Sequence, residues 1–151
     1  MARGVRWSLL ALGATLLLAG CGGNSDPGRT PAGLAQVQFL NDLYNGRLDS
    51  AYATLHPAYQ RFVPRARFVT CTRKAALGRV DSIEVIDVYD SPVEIPGSGR
   101  VGAKAVRVRL TSPDGGSATF VNHEVEVGSG WRWVLNAAGA RAYRAGRCPG
   151  S

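Results

Sequence analysis

Ala103-Lys104-Ala105-Val106-Arg107-Val108-Arg109-Leu110-Thr111 is the clearest strand in the chain. Val106, Val108 and Leu110 point one way and Arg107 and Arg109 the other, the two-residue period of a sheet with one buried and one wet face. Pro113-Asp114-Gly115-Gly116 is a turn, after which residues 118–127 read as the next strand. Gly128-Ser129-Gly130 turns the chain again, and Trp131 to Leu135 is the last strand. On the other side, residues 82–89 are rich in β-branched residues and alternate imperfectly. Ser91 to Gly102, with two prolines and three glycines, reads as a loop. Strands joined in sequence by short turns predict an antiparallel meander.

The residues ahead of the meander have a helical texture. Thr30-Pro31 is a hydroxyl cap followed by proline at a position whose missing N–H does no harm. Leu34, Val37, Leu40 or Asn41, and Tyr44 form one face, widened by Phe39 and Leu43, and Gly46 can supply the left-handed stop. Asp49 is expected to cap a second helix through Ala51, Tyr52 and Leu55, ended by His56-Pro57. A third helix is predicted from Pro64 to about Ala75, carrying Phe68 and Cys71, and a short terminal helix over residues 137–145. Three helices before a meander predict an α+β domain, helices packed on one face of a curved antiparallel sheet of about four strands.

The 151 residues suit one domain, and 45 % hydrophobic with 19 % charged residues excludes a disordered chain. The start has its own pattern. Met1 to Ser8 carries Arg3 and Arg6 and no acid, and Leu9 to Leu18 is apolar except for Gly13 and Thr15. That run is too short to span a bilayer, which takes roughly 20 apolar residues, and reads as a secretory signal over residues 1–20. Leu18-Ala19-Gly20-Cys21 resembles the lipobox of bacterial lipoproteins, in which the cysteine is acylated with chains such as palmitate and becomes the first mature residue. The resemblance implies a membrane anchor at Cys21 and an extracytoplasmic location on the cell membrane. Residues 21–31, rich in glycine and proline, are expected to be a linker, and residues 32–149 the domain.

The element order, the helix end Ala51-Tyr52-Ala53-Thr54-Leu55-His56-Pro57 and the closing Gly130-Trp131-Arg132-Trp133-Val134-Leu135 resemble the NTF2-like (cystatin-like cone) superfamily, and most nearly its small actinobacterial lipoproteins. The resemblance covers roughly residues 32–149, and no short hairpin is visible between the second and third helices, where some enzymatic members have one. It implies a cone between helices and sheet. The superfamily hosts isomerases, dehydratases, carriers and interaction domains, so fold alone does not choose among them. The open sheet face often serves dimerisation there, which makes a homodimer an expectation of the resemblance.

If Cys21 is acylated, Cys71 and Cys148 remain as an even pair in an oxidising compartment. A structural disulfide between them is expected, contributing on the order of 4 kcal/mol by loop closure; two buried thiols are the alternative. Charge is uneven. Ser50 to Val80 has no acid but carries Arg61, Arg65, Arg67, Arg73, Lys74 and Arg79, whereas Asp81 to Gly99 has no base. The disulfide would bring Arg141, Arg144 and Arg147 beside that basic helix, a positive face suited to anionic lipid or wall polymer. The bland alternative is a solvated face with salt bridges to the acidic segment.

For proton transfer the resemblance implies a carboxylate, His or Tyr pointing into the cone. The candidates are Asp87, Tyr89, His123 and Glu124 on strands, Tyr52 and His56 on the second helix, with Trp133 beside them. His123 shares a strand face with Val121, Val125 and Val127, which directs it inward, as a hydrogen-bonded core residue or as a base. Metal-ligand clusters, HExxH, G-x-S-x-G and phosphate loops are absent, so no metal or cofactor is expected, and nucleic acid is not an expected partner outside the cytoplasm. The expected function is a non-enzymatic binding or interaction module of the cell envelope, with an envelope partner unknown. Two alternatives stand beside it: a carrier with a lined cavity behind Trp133 and Val108, and an isomerase- or dehydratase-like enzyme using an inward Asp87 or His123.

Overall fold

The computed structural model describes residues 26–150; the signal segment, Cys21 and the linker up to Ser25 lie outside the described residues. A 3-10 turn, Pro27–Arg29, leads into α1 (Pro31–Tyr44), α2 (Leu48–Ala53), α3 (Pro57–Gln60) and α4 (Arg65–Lys74). Then come β1 (Ser82–Asp90), β2 (Val93–Ile95), β3 (Gly99–Val101), β4 (Lys104–Thr111), β5 (Ser117–Val127), β6 (Gly130–Val134) and α5 (Ala137–Arg144). The main sheet is antiparallel with strand order β1-β4-β5-β6, and β2-β3 form a separate hairpin. The fold is the expected α+β architecture, helices followed by a four-stranded sheet.

Thr30 caps α1 as expected, its hydroxyl accepting from the Gly33 N–H at 3.1 Å. The buried stripe is rotated from the expected one. Ala32, Gln36, Phe39 and Leu40 are buried, and Leu34 is 56 % exposed. The reason is aromatic: the Phe39 ring stacks on Trp133 at 4.4 Å between centroids, which fixes the face α1 turns to the sheet. Gly33 is required by close approach, since a Cβ there would lie 2.3 Å from the Pro27 carbonyl oxygen. The last part of the segment expected as linker is therefore folded, with Asp26 accepting from the Gly28 N–H at 2.9 Å.

Asp49 does not cap α2. Arg47 holds that position without a side-chain hydrogen bond, while Asp49 sits in the first turn, where the helix dipole favours a carboxylate, and pairs with Arg65. α2 stops at Ala53, short of the expected end, because Leu55 pairs with Trp133 instead of continuing the helix; His56-Pro57 starts α3, His56 Nδ1 accepting from the Ala58 N–H at 3.2 Å. The hairpin β2–β3 lies inside the stretch expected to be a loop. Pro92 and Pro96 flank β2 instead of interrupting it, and Gly97 and Gly99 take positive φ at the turn.

The alternation of β4 is as expected: Val106 and Val108 are 0 % exposed and Leu110 8 %, while Arg107 and Arg109 are in solvent. Below, the face carrying Val106 and Trp133 is the inner face and the opposite one the outer face. The two sequence stretches that carry the family resemblance meet in space. Leu55 pairs with Trp133 in a parallel bridge, His56 N–H donates to the Trp133 carbonyl at 2.9 Å, and Trp133 N–H to Thr54 at 3.1 Å. The free edge of β6 is thereby covered by the end of α2. Cys71 on α4 and Cys148 beyond α5 form the expected disulfide, with Cα atoms 5.2 Å apart.

Candidate functional site

The cone interior is occupied by side chains. Trp133 lies between Phe39 and Phe68, the latter 6.0 Å away, and its indole N–H donates to the Ala51 carbonyl at 3.1 Å. Tyr52 packs on Phe68 at 5.6 Å and its hydroxyl donates to the Val63 carbonyl at 2.8 Å, so it fastens α2 to the segment before α4. Each polar group of these rings is satisfied locally, which is what core packing requires. At Trp133, where a carrier was expected to keep a cavity, the rings of Phe39 and Phe68 pack against the indole.

Two buried polar side chains break that pattern. Glu124 lies in register between Lys104 of β4 and Trp133 of β6, hence on the inner face, and is 1 % exposed. Gln36 of α1 is fully buried. Among the described residues no hydrogen-bond partner reaches Glu124 Oε1 or either polar atom of the Gln36 amide. Burial pushes the Glu124 carboxyl up to about 8, against the nearby Arg132, which favours ionisation. Glu124 was among the sequence candidates, and Gln36 was not. A glutamine inside an apolar stripe carries no separate signal in the sequence.

His56 caps α3, and the remaining strand candidates lie on the other side of the sheet. His123 pairs with Ala105 and Val134, so it shares the outer face with Val121 and Val125 and does not point into the cone. The inward Trp133 fixes the β6 register, and with it places Glu124 rather than His123 on the inner row. His123 Nε2 lies 3.2 Å from Ser91 Oγ, and burial pushes its pKa down. Asp87 is turned outward by a bulge. β1 pairs Val85 with Val108 and then Asp87 with Arg107, leaving Ile86 as the extra residue. Without that insertion Asp87 would share the inner face with Val85. Tyr89 is 39 % exposed, with the Arg107 guanidinium 5.9 Å from its ring. The structure thus separates Tyr52 and Trp133 from Asp87, Tyr89 and His123.

His123 does line a cleft, of about 680 Å³, between the β2–β3 hairpin, strands β5 and β6, and α5. Its walls are mostly apolar, from Val93, Ile95, Val121, Val134 and Ala140, and Arg141 and Arg144 of α5 stand at its rim. Tyr59 closes one end, its hydroxyl donating to the Glu94 carbonyl at 3.4 Å.

The disulfide brings the tail segment 146–148 beside α4, whereas Arg141 and Arg144 line the hairpin cleft instead of joining the α4 cations. Arg67 Nη1 lies 3.2 Å from where a Cβ at Gly146 would stand. Arg67, Lys74 and the two cysteines line one shallow depression, with Arg73 beside Lys74 in the last turn of α4. Among the described residues the ion pairs do not include Arg67, Arg73, Lys74, Arg141, Arg144 or Arg147; Arg65 is paired with Asp49. The acidic segment is engaged elsewhere, Asp90 with Lys104 and Glu84 with Arg109 across the sheet. Among the described residues the basic face thus forms no salt bridge to the acidic segment.

No family model matches the chain, and no curated protein matches it. A solved Campylobacter jejuni protein described as "Putative NTF2-like transpeptidase" is similar, at 15 % identity over 66 % of this chain and 93 % of its own, with a TM-score of 0.47.

Proposed function

We propose that the protein is a lipid-anchored module on the extracytoplasmic face of the cell membrane, non-enzymatic, whose basic face binds anionic lipid or wall polymer. The observation that carries this reading is the set of Arg67, Arg73 and Lys74 on α4, beside the tail segment that Cys71–Cys148 ties to it, without a carboxylate in ion-pair contact among the described residues. Unpaired surface cations attract an anionic surface by ~1 kcal/mol each close to it, and the attraction falls off within a Debye length. The Leu18-Ala19-Gly20-Cys21 lipobox supplies the tether, and a disulfide suits an oxidising compartment. Against an enzyme of the cone stands the dispersal of Asp87, Tyr89 and His123 to the outer face.

Co-sedimentation of the unacylated chain from Gly22 onward with vesicles tests the reading. Binding to phosphatidylglycerol vesicles is expected at low salt and not to phosphatidylcholine vesicles. Arg67→Glu with Lys74→Glu should weaken it by about tenfold or more. Equal binding to both vesicle types, or indifference to the double reversal, refutes the basic face as the contact.

A further inference from the structure

We propose that the cleft between the β2–β3 hairpin, β5–β6 and α5 is a binding site for a small anionic amphiphile, an acyl-chain carboxylate whose apolar body lies on Val93, Val121, Val134 and Ala140 and whose head meets Arg141 and Arg144. This rests on the reading of the protein as a binding module and gives that module a ligand class distinct from the membrane surface.

Size comes first. About 680 Å³ lies within the roughly 300–1,000 Å³ of small-molecule sites, and the cleft is open to solvent on one side, as a chain-like ligand entering from a membrane or a carrier requires. Apolar exposure comes second. Val121 is 39 % exposed on a strand whose neighbours on the same face, His123 and Val125, are partly or fully covered. A large apolar side chain kept in water at the wall of a concave surface is stabilised by whatever covers it.

Charge decides the head group. Arg141 and Arg144 are three residues apart on α5 and so stand on one helix face. The Arg144 guanidinium is held over the Phe62 ring at 4.6 Å from its centroid, which fixes its direction without consuming its N–H donors. Arg141 takes part in none of the ion pairs among the described residues. Two guanidinium groups on one helix face, that of Arg144 oriented by Phe62, offer donors for the two oxygens of a carboxylate. Glu94 is the acid in the lining, and it stands opposite Arg100 in the hairpin register, on the same face of the hairpin. His123, whose pKa burial pushes down, offers the ligand a neutral imidazole near Ser91.

The test uses the whole chain in phosphatidylcholine nanodiscs and a diazirine-bearing dodecanoate, with labelled peptides mapped by mass spectrometry. Label is expected on peptides covering residues 93–97, 121–123 and 137–144. Arg141→Ala with Arg144→Ala should reduce it about tenfold, the loss of charge-assisted hydrogen bonds, and Val121→Asp should do the same. All three residues are exposed, so the variants should keep the wild-type circular dichroism and melting temperature. A diazirine-bearing dodecanol should label the cleft far less than the acid. Absence of label from these peptides overturns the site, as does label indifferent to both variants. Equal labelling by the alcohol overturns the carboxylate. Val121→Asp leaves Arg67, Lys74 and Arg147 untouched, so cleft labelling and vesicle sedimentation fail independently.

Discussion

At the scale of single residues, Glu124 is where the fold departs most from what packing alone would choose. A carboxyl on the inner face beside Trp133 with one oxygen unpartnered is tolerated only while it is protonated, which is why burial carries its pKa to about 8. The sign of the consequence follows. A carboxyl whose folded pKa exceeds its unfolded value near 4.5 favours folding fully below that lower value, and the advantage is lost as pH rises toward about 8. The loss runs at up to ~1.4 kcal/mol per pH unit across that window. His56 and His123, both held below the ordinary value of 6.5 by burial, act in the opposite sense and lose stability as pH falls through 6.5. Glu124→Gln isolates the carboxyl because the histidines are common to both proteins. The difference in melting temperature between Glu124→Gln and wild type, followed from pH 5 to 8, should grow with pH in favour of the variant; a constant difference would falsify the buried-acid account. Gln36 poses the neutral version of the same problem. Gln36→Leu replaces two unpartnered polar atoms by apolar ones of similar size and should raise unfolding free energy by about 1 kcal/mol in denaturant titration. Gln36 was not marked by the sequence, and Glu124 was named there without being told apart from His123, since a period-two reading of β5 fits either one inward; the register imposed by Trp133 decides.

At the scale of elements, legibility follows how local the determining interactions are. The Thr30-Pro31 start of α1, the alternation of β4 and the glycine turns are written in neighbouring residues, and they form as read. The bulge at Ile86, the rotated stripe of α1 and the β2–β3 hairpin depend on partners distant in sequence, which no window of residues contains. The disulfide belongs to the legible set because parity and compartment, rather than geometry, announced it. It ties α4 to the segment after α5 and closes a separation of 77 positions. Cys71→Ala with Cys148→Ala should cost about 2–4 kcal/mol in chemical denaturation, the loss of loop-closure restraint on the unfolded chain. The N-terminal turn offers a second test at this scale. Gly33→Ala places a methyl group 2.3 Å from the Pro27 carbonyl, so either α1 shifts or the Pro27–Arg29 turn detaches from it. A destabilisation of about 1–3 kcal/mol is expected, with proteolysis ahead of Pro31 becoming faster than in wild type. By contrast Arg65→Ala removes an ion pair whose side chains are both 62 % exposed and screened by solvent, and denaturant titration should show no clear change.

At the scale of the whole molecule, the surface chemistry and the proposed tether act together. Cys21 and Asp26, the first described residue, are five residues apart, a reach of at most ~18 Å for any conformation of the chain between them. An acyl group on Cys21 would keep the folded domain within that reach of the bilayer, so a contact between the α4 cations and the headgroups would form within an already tethered molecule and each contact would strengthen the other. Both halves of this pairing can be removed separately. Cys21→Ser should leave only the electrostatic contact, so the protein washes from anionic membranes when salt is raised, because that contact is screened within a Debye length of about 8 Å at physiological ionic strength. Charge reversal at Arg67 and Lys74 should leave the chain in the membrane fraction at every salt concentration, since the hydrocarbon anchor is indifferent to screening. Fractionation of intact cells followed by salt washes reads both variants. If Cys21→Ser stays membrane-bound at high salt, the tether lies elsewhere in the chain. If it is lost even at low salt, the basic face contributes nothing to attachment and Arg67, Arg73 and Lys74 must meet something other than the bilayer.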